Sequence, residues 1–433
     1  MMKNLPVSKP ILTSLSPNTE KDDILLTLRL ILQPWKWKDI SANQRLYQRG
    51  SAVKTLEEKF KQYLSIKHAF SFNSGRTAWL AILENLILEK GSEVLLQAFT
   101  CNAVVNPIRW SSFKPVFVDI DEKTLNMGPA DLERKISSAS RVVLVQHTFG
   151  LPADLDRIKE ICQRHNLILI EDCAHSLGAS YHNQKLGTFG QAAFFSFGRD
   201  KVISSVFGGL AVTNDDELGK KLKEFQLRLL QPSHLWICQQ LLHPVLTNLL
   251  VVPLYGLAGM GKWLLLCLQK IGLLSKAMRR EEKRGEKPAD LVKRMPEALI
   301  LLAENQLKKL DRFVSHQGEI ARFYDENLKN PELILPPATP GRIYLRYPLL
   351  LKNSKTDKTL IGARREGIFL DDGWRKTVVT PPDTDQEKMG YTPGSCPVAE
   401  KIAKSILNLP THINISREKA QKIVTFLNNY RGD

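Results

Sequence analysis

Two carboxylic acids and a lysine occupy positions in this sequence where they could act together. In the stretch NLILIEDCAHS, four apolar residues lead directly into Glu171 and Asp172, and His175 follows three residues later. Downstream, Lys201 lies between the apolar stretch AAFFSF and a pair of glycines. Because ligands of parallel sheets bind beyond the carboxyl ends of the strands, these side chains are candidates for a single site.

An acid and a lysine on neighbouring strand ends suit chemistry with pyridoxal phosphate. The lysine bonds covalently to the aldehyde of that cofactor, and the acid pairs with the protonated pyridine nitrogen, which keeps the ring an electron sink. An isolated Asp or Lys is by default a solvated surface charge. An acid that emerges directly from a buried-strand pattern, as Asp172 does, favours a functional role.

A third motif could bind the phosphate of that cofactor. In NSGRTAW, Ser74 and Gly75 form a turn that leads into a predicted helix, whose free N–H groups and dipole attract anions. Arg76 could add a charge-assisted hydrogen bond. The alternative interpretation is an ordinary helix cap, in which Ser74 accepts a hydrogen bond near Thr77.

Alternating helix and strand patterns surround these residues between about residues 54 and 213. Helical spacing of apolar residues predicts helices at 56–64 and 76–90. Short apolar runs predict the strands SEVLLQAF, KPVFVDI, RVVLVQHTF, NLILIEDC, AAFFSF and GGLAVT. This alternation predicts an α/β fold in which helices cover both faces of a mainly parallel sheet.

The stretch 229–261 differs from the rest of the chain because it contains no Asp, Glu, Lys or Arg. A further apolar segment follows it, and residues 276–294 then contain eight Lys or Arg against four Asp or Glu. We interpret 229–290 as a hydrophobic and basic helical insertion in the α/β scaffold.

Two interpretations of the insertion remain open. Three prolines, at positions 232, 244 and 253, are expected to divide it into pieces shorter than the ~20 residues that cross a bilayer. The pieces either fold over the active site or a dimer face, or they rest on an anionic membrane surface with Trp236 and Trp263 inserted. We favour the second interpretation, which makes the protein peripheral at the inner face of the membrane.

The predicted organisation has four parts, and two of its helices can be placed from the sequence. The parts are an N-terminal segment (1–45), a large cofactor-binding domain (46–228), the insertion (229–290), and a bridging helix with a small α+β C-terminal domain (291–433). Residues 299–328 are expected to form one long helix, and residues 417–429 the last one.

Composition limits the remaining function classes. Among 433 residues, 61 Lys and Arg against 45 Asp and Glu give a net charge of +16, but the basic residues are spread out and no nucleic-acid-binding signature accompanies them. We therefore expect no nucleic-acid partner. The six cysteines are dispersed without C-x-x-C spacing, which predicts neither a metal site nor a disulfide framework and fits a reducing cytoplasm. The N-terminus lacks the apolar core of a signal peptide.

Collinear segments covering most of the chain outside the insertion resemble the DegT/DnrJ/StrS family of pyridoxal-phosphate-dependent sugar aminotransferases. That resemblance implies the aspartate-aminotransferase-like fold (pyridoxal phosphate fold type I), with a large domain and a smaller C-terminal one. The segments are FNSGRTAWLAIL, EVLLQAFTCNAVVNPI with PVFVDID, HTFGLPADLDRI, IEDCAHSLGASYHNQKLGTFGQAAFFSFGRDK, RMPEALILLAENQLKKLD and CPVAEKIAKSILNLPTH.

The resemblance implies catalytic roles for three residues. Lys201 would hold the cofactor and move the proton of the reaction, Asp172 would bind the pyridine nitrogen, and His175 would lie near the ring and its phenolic oxygen. The implied reaction is ping-pong, with glutamate as amino donor and a keto-sugar nucleotide, or a related carbonyl compound, as acceptor in polysaccharide or glycolipid synthesis.

The resemblance also implies cofactor-binding residues and an oligomeric state. The phosphate would be held by Ser74, Gly75, Arg76 and Ser196. Arg294 matches an arginine usually supplied by the neighbouring subunit, which implies a homodimer with shared active sites.

The sequence departs from the family pattern at several positions. Arg76 replaces a Thr of the phosphate loop, Cys101 stands where an aromatic residue often stacks on the cofactor, and Val292 replaces an Asn that acts across the dimer. The insertion replaces a short loop that partly faces substrate. Two alternatives therefore stay open: a sugar dehydratase or other carbanion chemistry, and a non-catalytic membrane-associated scaffold or regulator. Lys201 argues against the dehydratase, because dehydratase members typically have His there, and the intact set of Asp172, Ser196 and Lys201 argues against the scaffold.

Overall fold

A computed structural model describes residues 10–15, 17–38, 52–257, 259–352 and 354–430. Much of the predicted N-terminal segment, residues 1–9, 16 and 39–45, lies outside the described residues. The strands are β1 (Ile11–Leu12), β2 (His68–Phe72), β3 (Glu93–Gln97), β4 (Thr100–Cys101), β5 (Lys114–Val118), β6 (Ser140–Gln146), β7 (Ile168–Asp172), β8 (Ser180–Tyr181), β9 (Gln184–Lys185), β10 (Ala192–Ser196), β11 (Gly209–Thr213), β12 (Leu333–Ile334), β13 (Tyr347–Leu351), β14 (Ile368–Phe369), β15 (Val379–Thr380) and β16 (Ile406–Leu409).

Helices alternate with these strands through most of the chain. They are α1 (Lys21–Ile31), α2 (Ala52–Leu64), α3 (Gly75–Asn85), α4 (Asn102–Trp110), α5 (Pro129–Lys135), α6 (Leu155–Arg164), α7 (Asp216–Arg228), α8 (His234–Leu254), α9 (Met260–Lys270), α10 (Arg280–Lys283), α11 (Glu297–Leu307), α12 (Leu310–Asn327), α13 (Thr356–Arg365), α14 (Pro397–Ser405) and α15 (Arg417–Asn429).

A seven-stranded sheet in the order β2-β11-β10-β7-β6-β3-β5 forms the centre of the large domain. All neighbouring strands are parallel except β11, which is antiparallel to both β10 and β2. The six strands that the apolar runs predict are confirmed with slightly shorter bounds. Strand β2 was not predicted, because its sequence HAFSF is short and carries two polar residues.

Side chains of the central strands enter two cores, one on each face of the sheet. Leu95 and Val143 belong to one hydrophobic cluster, whereas their neighbours Leu96 and Leu144 belong to the other. This division follows from the strand period of two residues. Both faces are thus covered, which explains why the strands read as continuous apolar runs.

The smaller C-terminal domain is joined to the large domain by strand pairing next to the candidate site. Its own sheet has the antiparallel order β12-β13-β16. Strand β15 pairs in parallel with β4, which sets Thr380 opposite Cys101. Residues of the C-terminal domain therefore lie at the carboxyl edge of the central sheet, where its ligands are expected to bind.

The insertion folds into a longer helix than predicted. Helix α8 runs unbroken over 21 residues, long and apolar enough to cross a membrane by length and composition, although 44% of its most apolar window is buried inside the protein. The expectation that Pro244 and Pro253 divide it is wrong. Pro244 lies inside the helix, a π-helical turn at Thr247–Val251 follows it, and Ile237 and Leu241 pack into the core. Packing and the wider turn offset the hydrogen bonds that proline removes.

The predicted single helix over residues 299–328 is also wrong in its continuity. It is divided into α11 and α12, which meet at Lys308 and Lys309. The apolar period continues through the break, so the sequence pattern does not reveal it. At the break, Nζ of Lys309 lies 2.9 Å from a carboxylate oxygen of Asp22 and 2.8 Å from one of Asp23, which ties α1 to this junction. The last helix, α15, is confirmed at the predicted bounds.

Candidate active site

Asp172 is the last residue of β7 and points into a cavity at the carboxyl edge of the sheet. It lies beside Gln146 of β6 and Phe194 of β10 in the strand register. Its side chain accepts a hydrogen bond of 2.9 Å from the N–H of Ala174. Burial raises the pKa of Asp172 to about 6, although the charge of nearby Lys201 acts in the opposite direction. A cationic group placed against this carboxylate would be strongly stabilised.

The preceding acid, Glu171, has a structural role instead. Strand alternation turns it to the opposite face, where it is fully buried. Its carboxylate accepts hydrogen bonds of 2.8 Å from the N–H of Gly187, 2.7 Å from that of Phe189 and 2.9 Å from that of Gly190. Of the two acids at this strand end, only Asp172 faces the cavity.

Lys201 lies in the loop between β10 and β11 and lines the same cavity as Asp172. Its loop is held by the N-terminal segment: Nδ2 of Asn18 donates to the carbonyl oxygen of Lys201 at 2.9 Å and to that of Val202 at 2.8 Å. The loop also contains Val206 at a φ of 72°. A β-branched residue in that left-handed region is strained, and such strain concentrates at functional sites.

The start of helix α3 forms one wall of the cavity. Ser74 caps the helix, as the alternative interpretation of this motif expects, and accepts a hydrogen bond of 3.2 Å from the N–H of Thr77. A Cβ on Gly75 would lie 2.9 Å from Cβ of Ser196, and one on Gly209 would lie 2.4 Å from the backbone nitrogen of Gly75. The two glycines therefore allow three backbone segments to meet where an anion could reach free N–H groups.

Arg76 is paired with an acid that the sequence did not reveal. Its Nη1 contacts Oε1 of Glu282, and both side chains are buried, at 9% and 1% exposure. Glu282 lies in helix α10 of the insertion, and its other oxygen accepts the N–H of Arg279 at 3.0 Å. No sequence signal marks this acid, because it lies 206 residues away in a segment that reads as basic and exposed.

A second arginine of the cavity has no carboxylate bonded to it among the described residues. The guanidinium of Arg199 lies 5.4 Å from the ring centroid of Phe207, over which Arg76 also lies at 5.7 Å. Its Nη2 donates to Oγ of Ser275 at 2.6 Å, whereas its Nε is buried without a hydrogen-bond partner among the described residues. Burial and the charge of Arg76 lower the pKa of Arg199 to about 9. Such a cation favours an anionic ligand.

His175 is a buried, neutral ring that packs against two aromatic neighbours. It stacks on Phe149, with ring centroids 5.5 Å apart, and meets the Trp374 ring edge-on at 4.9 Å. Burial, with the positive charges of Lys201 and Arg346, lowers the pKa of His175 well below its ordinary value. Its Nδ1 accepts from the N–H of Phe149 at 3.4 Å, which leaves the proton of the neutral ring on Nε2.

The C-terminal domain supplies part of the cavity that sequence reasoning missed. Asp372 and Trp374 line it, and Arg346 bridges the domains, with 3.3 Å from its Nε to Asp372 and 3.5 Å from its Nη2 to Asp200. The stretch IFLDDGW carries the signal that identified Asp172, an acid directly after an apolar strand. Asp372 could therefore have been predicted by the rule that identified Asp172.

Two other predicted residues have different surroundings. Cys101 lines the cavity, where burial raises the pKa of its thiol, so it stays protonated at neutral pH. Arg294 does not line the cavity of its own chain. Its guanidinium donates to the carbonyl oxygens of Gln226, at 3.1 Å, and Leu227 at the end of α7. Its role across a dimer stays a prediction.

The residues present fit pyridoxal phosphate. The cavity has a volume of about 240 Å³ and brings together Lys201, Asp172, His175, Ser196 and the start of α3. Each provides a group that this cofactor requires: an amine for the aldehyde, a buried acid for the ring nitrogen, and N–H and hydroxyl donors for the phosphate. Ala277 and Met278 of the insertion close one side of it.

The fold and the cavity define an α/β protein with a lysine-centred site of the aminotransferase type. The profile of the DegT/DnrJ/EryC1/StrS aminotransferase family matches residues 36–239 and 261–428. The chain belongs to this family and is an enzyme of the transaminase class. The resemblance inferred from the sequence motifs is thereby confirmed.

Individual relatives and structures agree with this assignment. The chain is 35% identical to GDP-perosamine synthase from Caulobacter vibrioides over 42% of its own length and 50% of that protein's. It is 27% identical to UDP-N-acetyl-3-dehydro-alpha-D-glucosamine 3-aminotransferase from Acidithiobacillus ferrooxidans, over 87% of this chain and 88% of that one. The structure of NtdA from Bacillus subtilis with bound cofactor PMP has the same fold, with a TM-score of 0.73, 19% identity, and coverage of 98% and 86%.

Proposed function

We propose that this protein binds pyridoxal phosphate and transfers an amino group from glutamate to a keto-sugar nucleotide. The observation that carries the proposal is the convergence of Lys201, Asp172 and the start of α3 on one cavity in a member of this family. When bound, the cofactor supplies an electron sink for the carbanion that forms at the substrate carbon.

The residues of this chain supply binding and proton transfer. Asp172 pairs with the ring nitrogen, and its buried position makes that pairing strong. Lys201 would hold the cofactor, and its Nζ, once free as an amine, would accept the proton lost by the substrate carbon and carry it to the cofactor carbon that bonds the transferred nitrogen. His175 lines the cavity as a neutral ring, so its Nε2–H would offer the cofactor a hydrogen-bond donor without adding charge. The packed wall of Phe149 and Trp374 excludes water from that side.

The choice of substrates rests on charge and on the relatives. Both substrates are anionic, and the cavity contains the cationic Arg199 without a carboxylate bonded to it among the described residues. Two relatives are named for nucleotide-linked sugars, one with GDP and one with UDP. We further propose a homodimer in which Arg294 contributes to the site of the partner subunit, as the family resemblance implies.

The two half-reactions test this proposal separately. Cofactor-loaded protein is mixed with L-glutamate, and one equivalent of 2-oxoglutarate per site is expected. The aminated protein is then separated from glutamate and mixed with GDP-, UDP- and dTDP-linked keto sugars, and mass spectrometry identifies an amino sugar. Lys201→Ala should abolish the first step, whereas Lys185→Ala, at a partly buried lysine outside the cavity, should leave it unchanged.

Each outcome has a defined meaning. Amine transfer to a keto sugar supports the proposal. Release of 2-oxoglutarate without transfer to any of these acceptors would reject the sugar-nucleotide acceptor but keep the transaminase. Loss of a sugar hydroxyl instead of amination would favour the dehydratase. Cofactor binding that fails altogether would favour the scaffold alternative.

A further inference from the structure

We propose that the exposed apolar side chains of α1 and of the α8–α9 hairpin form a surface that docks on an anionic phospholipid bilayer. We call this surface the apolar face. Among the described residues, 17 large hydrophobic side chains are exposed, and 14 of them lie within 25–35 and 230–273. The remaining three, Ile87, Ile334 and Ile361, are isolated from one another in sequence. Concentration in two segments that pack together, α1 against α8, marks an interaction surface.

Helix α9 shows the pattern of an interfacial helix. Met260, Trp263 and Leu266 recur at a spacing of three residues and are exposed, with 68% of Trp263 accessible. On the other side of the helix, Gly261 and Leu268 are buried, and Leu268 packs with Val251 of α8. The helix is thus fixed to the protein by one side and presents apolar side chains on the other.

The charges of this region match an anionic surface. Residues 229–280 contain no Asp or Glu, whereas Lys262, Lys270 and Lys276 are exposed within it. Lys262 and Lys270 stand on α9 next to the exposed apolar residues. Basic residues close to anionic head groups add about 1 kcal/mol each to membrane binding, and Trp prefers the interface.

The buried side of α8 indicates docking on the bilayer rather than insertion across it. Although the helix has the length to span a membrane, Gln240, His243 and Thr247 are buried against the protein. Exposure of these polar groups to hydrocarbon would be costly. The apolar face therefore lies on the head-group boundary, with α8 still packed on the large domain.

A second copy of the chain fits this face less well than a bilayer does. A two-fold dimer interface is self-complementary, so the exposed lysines of α9 would face their own copies. The acids of α1, Asp22 and Asp23, are already paired with Lys309. No acid between 229 and 280 could neutralise them. An anionic bilayer satisfies both the apolar and the basic side chains.

Vesicle flotation with the full-length protein tests the proposal. The vesicles contain phosphatidylcholine alone or phosphatidylcholine with phosphatidylglycerol. We expect binding to the anionic vesicles at least ~10-fold stronger than to the neutral ones, and weaker binding at high salt. Trp263→Ser with Leu266→Ser, and separately Lys262→Glu with Lys270→Glu, should each reduce binding by ~10-fold or more.

Matched controls separate this surface from general effects of composition. Ile334→Ser with Ile361→Ser removes two exposed apolar side chains elsewhere, and Lys220→Glu with Lys223→Glu makes the same charge change on α7. Both should bind vesicles like the unchanged protein. All variants lie outside the cavity, so cofactor binding should be unaltered, and circular dichroism checks their fold.

Three results would overturn the proposal. The first is absence of binding to anionic vesicles, and the second is an equal loss of binding in the control variants. The third is a change of oligomeric state in Trp263→Ser with Leu266→Ser, measured by analytical ultracentrifugation, which would assign the face to a second copy. None of these results depends on whether the protein transfers amino groups.

Discussion

At the residue scale, the site is built around charged groups that the fold has removed from water. Asp172 ends a fully covered strand, Arg76 and Glu282 neutralise each other under the insertion, and Arg199 lies over an aromatic ring. Each of these groups is costly to bury by itself. The cavity therefore brings together buried charges that a bound cofactor and its substrates would stabilise.

The titration of Asp172 should be visible in the stability of the cofactor-free protein. Its pKa in the folded state, about 6, exceeds the ordinary value of 3.8, so the folded state binds this proton more tightly. Its contribution to stability is complete below about pH 4 and is lost as the pH rises through 6, by ~3 kcal/mol in all. Asp172→Asn removes this dependence. Denaturant unfolding measures the free energy of unfolding of both proteins at pH 4 and pH 7. Relative to Asp172→Asn, the unchanged protein should lose about that amount of stability between the two pH values. A difference between the two proteins that does not change with pH would contradict the raised pKa of Asp172.

The buried ion pair should make Glu282 more important for stability than its exposed neighbour. Glu282→Gln leaves the charge of Arg76 buried without a carboxylate and should lower the free energy of unfolding by ~3–5 kcal/mol. Glu281→Gln, one residue earlier and exposed, should change it by less than ~0.5 kcal/mol. Combining Glu282→Gln with Arg76→Met should recover much of the loss. Equal effects of the two single substitutions would show that the pair is not formed.

At the element scale, the start of α3 depends on the close approach of β11. Gly209→Ala places a Cβ 2.4 Å from the backbone nitrogen of Gly75, so the helix start must shift. We expect a loss of ~1–3 kcal/mol in the free energy of unfolding, together with weaker cofactor binding.

The same substitution at Gly318 provides the control. Gly318 lies inside α12 with open space around its Cβ position, so Gly318→Ala should stabilise the protein by up to ~1 kcal/mol and leave cofactor affinity unchanged. Calorimetry and a cofactor titration on both variants check these expectations. Weaker cofactor binding in Gly318→Ala, or unchanged binding in Gly209→Ala, would contradict the assignment of the phosphate site.

The elements differ in how far the sequence could predict them. The six apolar strands and the acid that ends β7 could be predicted, because buried parallel strands leave a continuous apolar signal. The course of α8 could not, since its prolines are accommodated by a π-helical turn and by tertiary packing. Nor could the Arg76–Glu282 pair, which only the folded insertion brings together. The local sequence pattern thus predicts which strand end carries a functional acid. The partners of buried charged side chains depend on long-range packing, which the local pattern does not reveal.

At the scale of the whole molecule, the site combines two domains and the insertion, and we propose that a second subunit also contributes to it. Trp374 of the C-terminal domain packs on His175, and Arg346 joins Asp200 to Asp372 across the domain boundary. Motion of the C-terminal domain would therefore change the surroundings of the cofactor. In its own chain, the guanidinium of Arg294 donates to carbonyl oxygens at the end of α7.

Mixed dimers should reveal whether Arg294 acts across the subunit boundary. Lys201→Ala and Arg294→Ala are each expected to be inactive as homodimers. After mixing and subunit exchange, one site of each mixed dimer would contain both native residues, so about a quarter of all sites should be active. The transaminase half-reaction with glutamate measures this recovery. If activity does not return although mixed dimers form, Arg294 acts within its own chain or not at all.

The covalent attachment of pyridoxal phosphate to Lys201 is the most direct test of the central claim. Protein incubated with the cofactor is reduced with borohydride, which makes the bond between lysine and cofactor permanent, and its peptides are analysed by mass spectrometry. We expect a single labelled peptide that contains Lys201, no label in Lys201→Ala, and normal labelling in Lys185→Ala. Labelling of a different lysine, or of none, would contradict the assignment of this cavity as the active site.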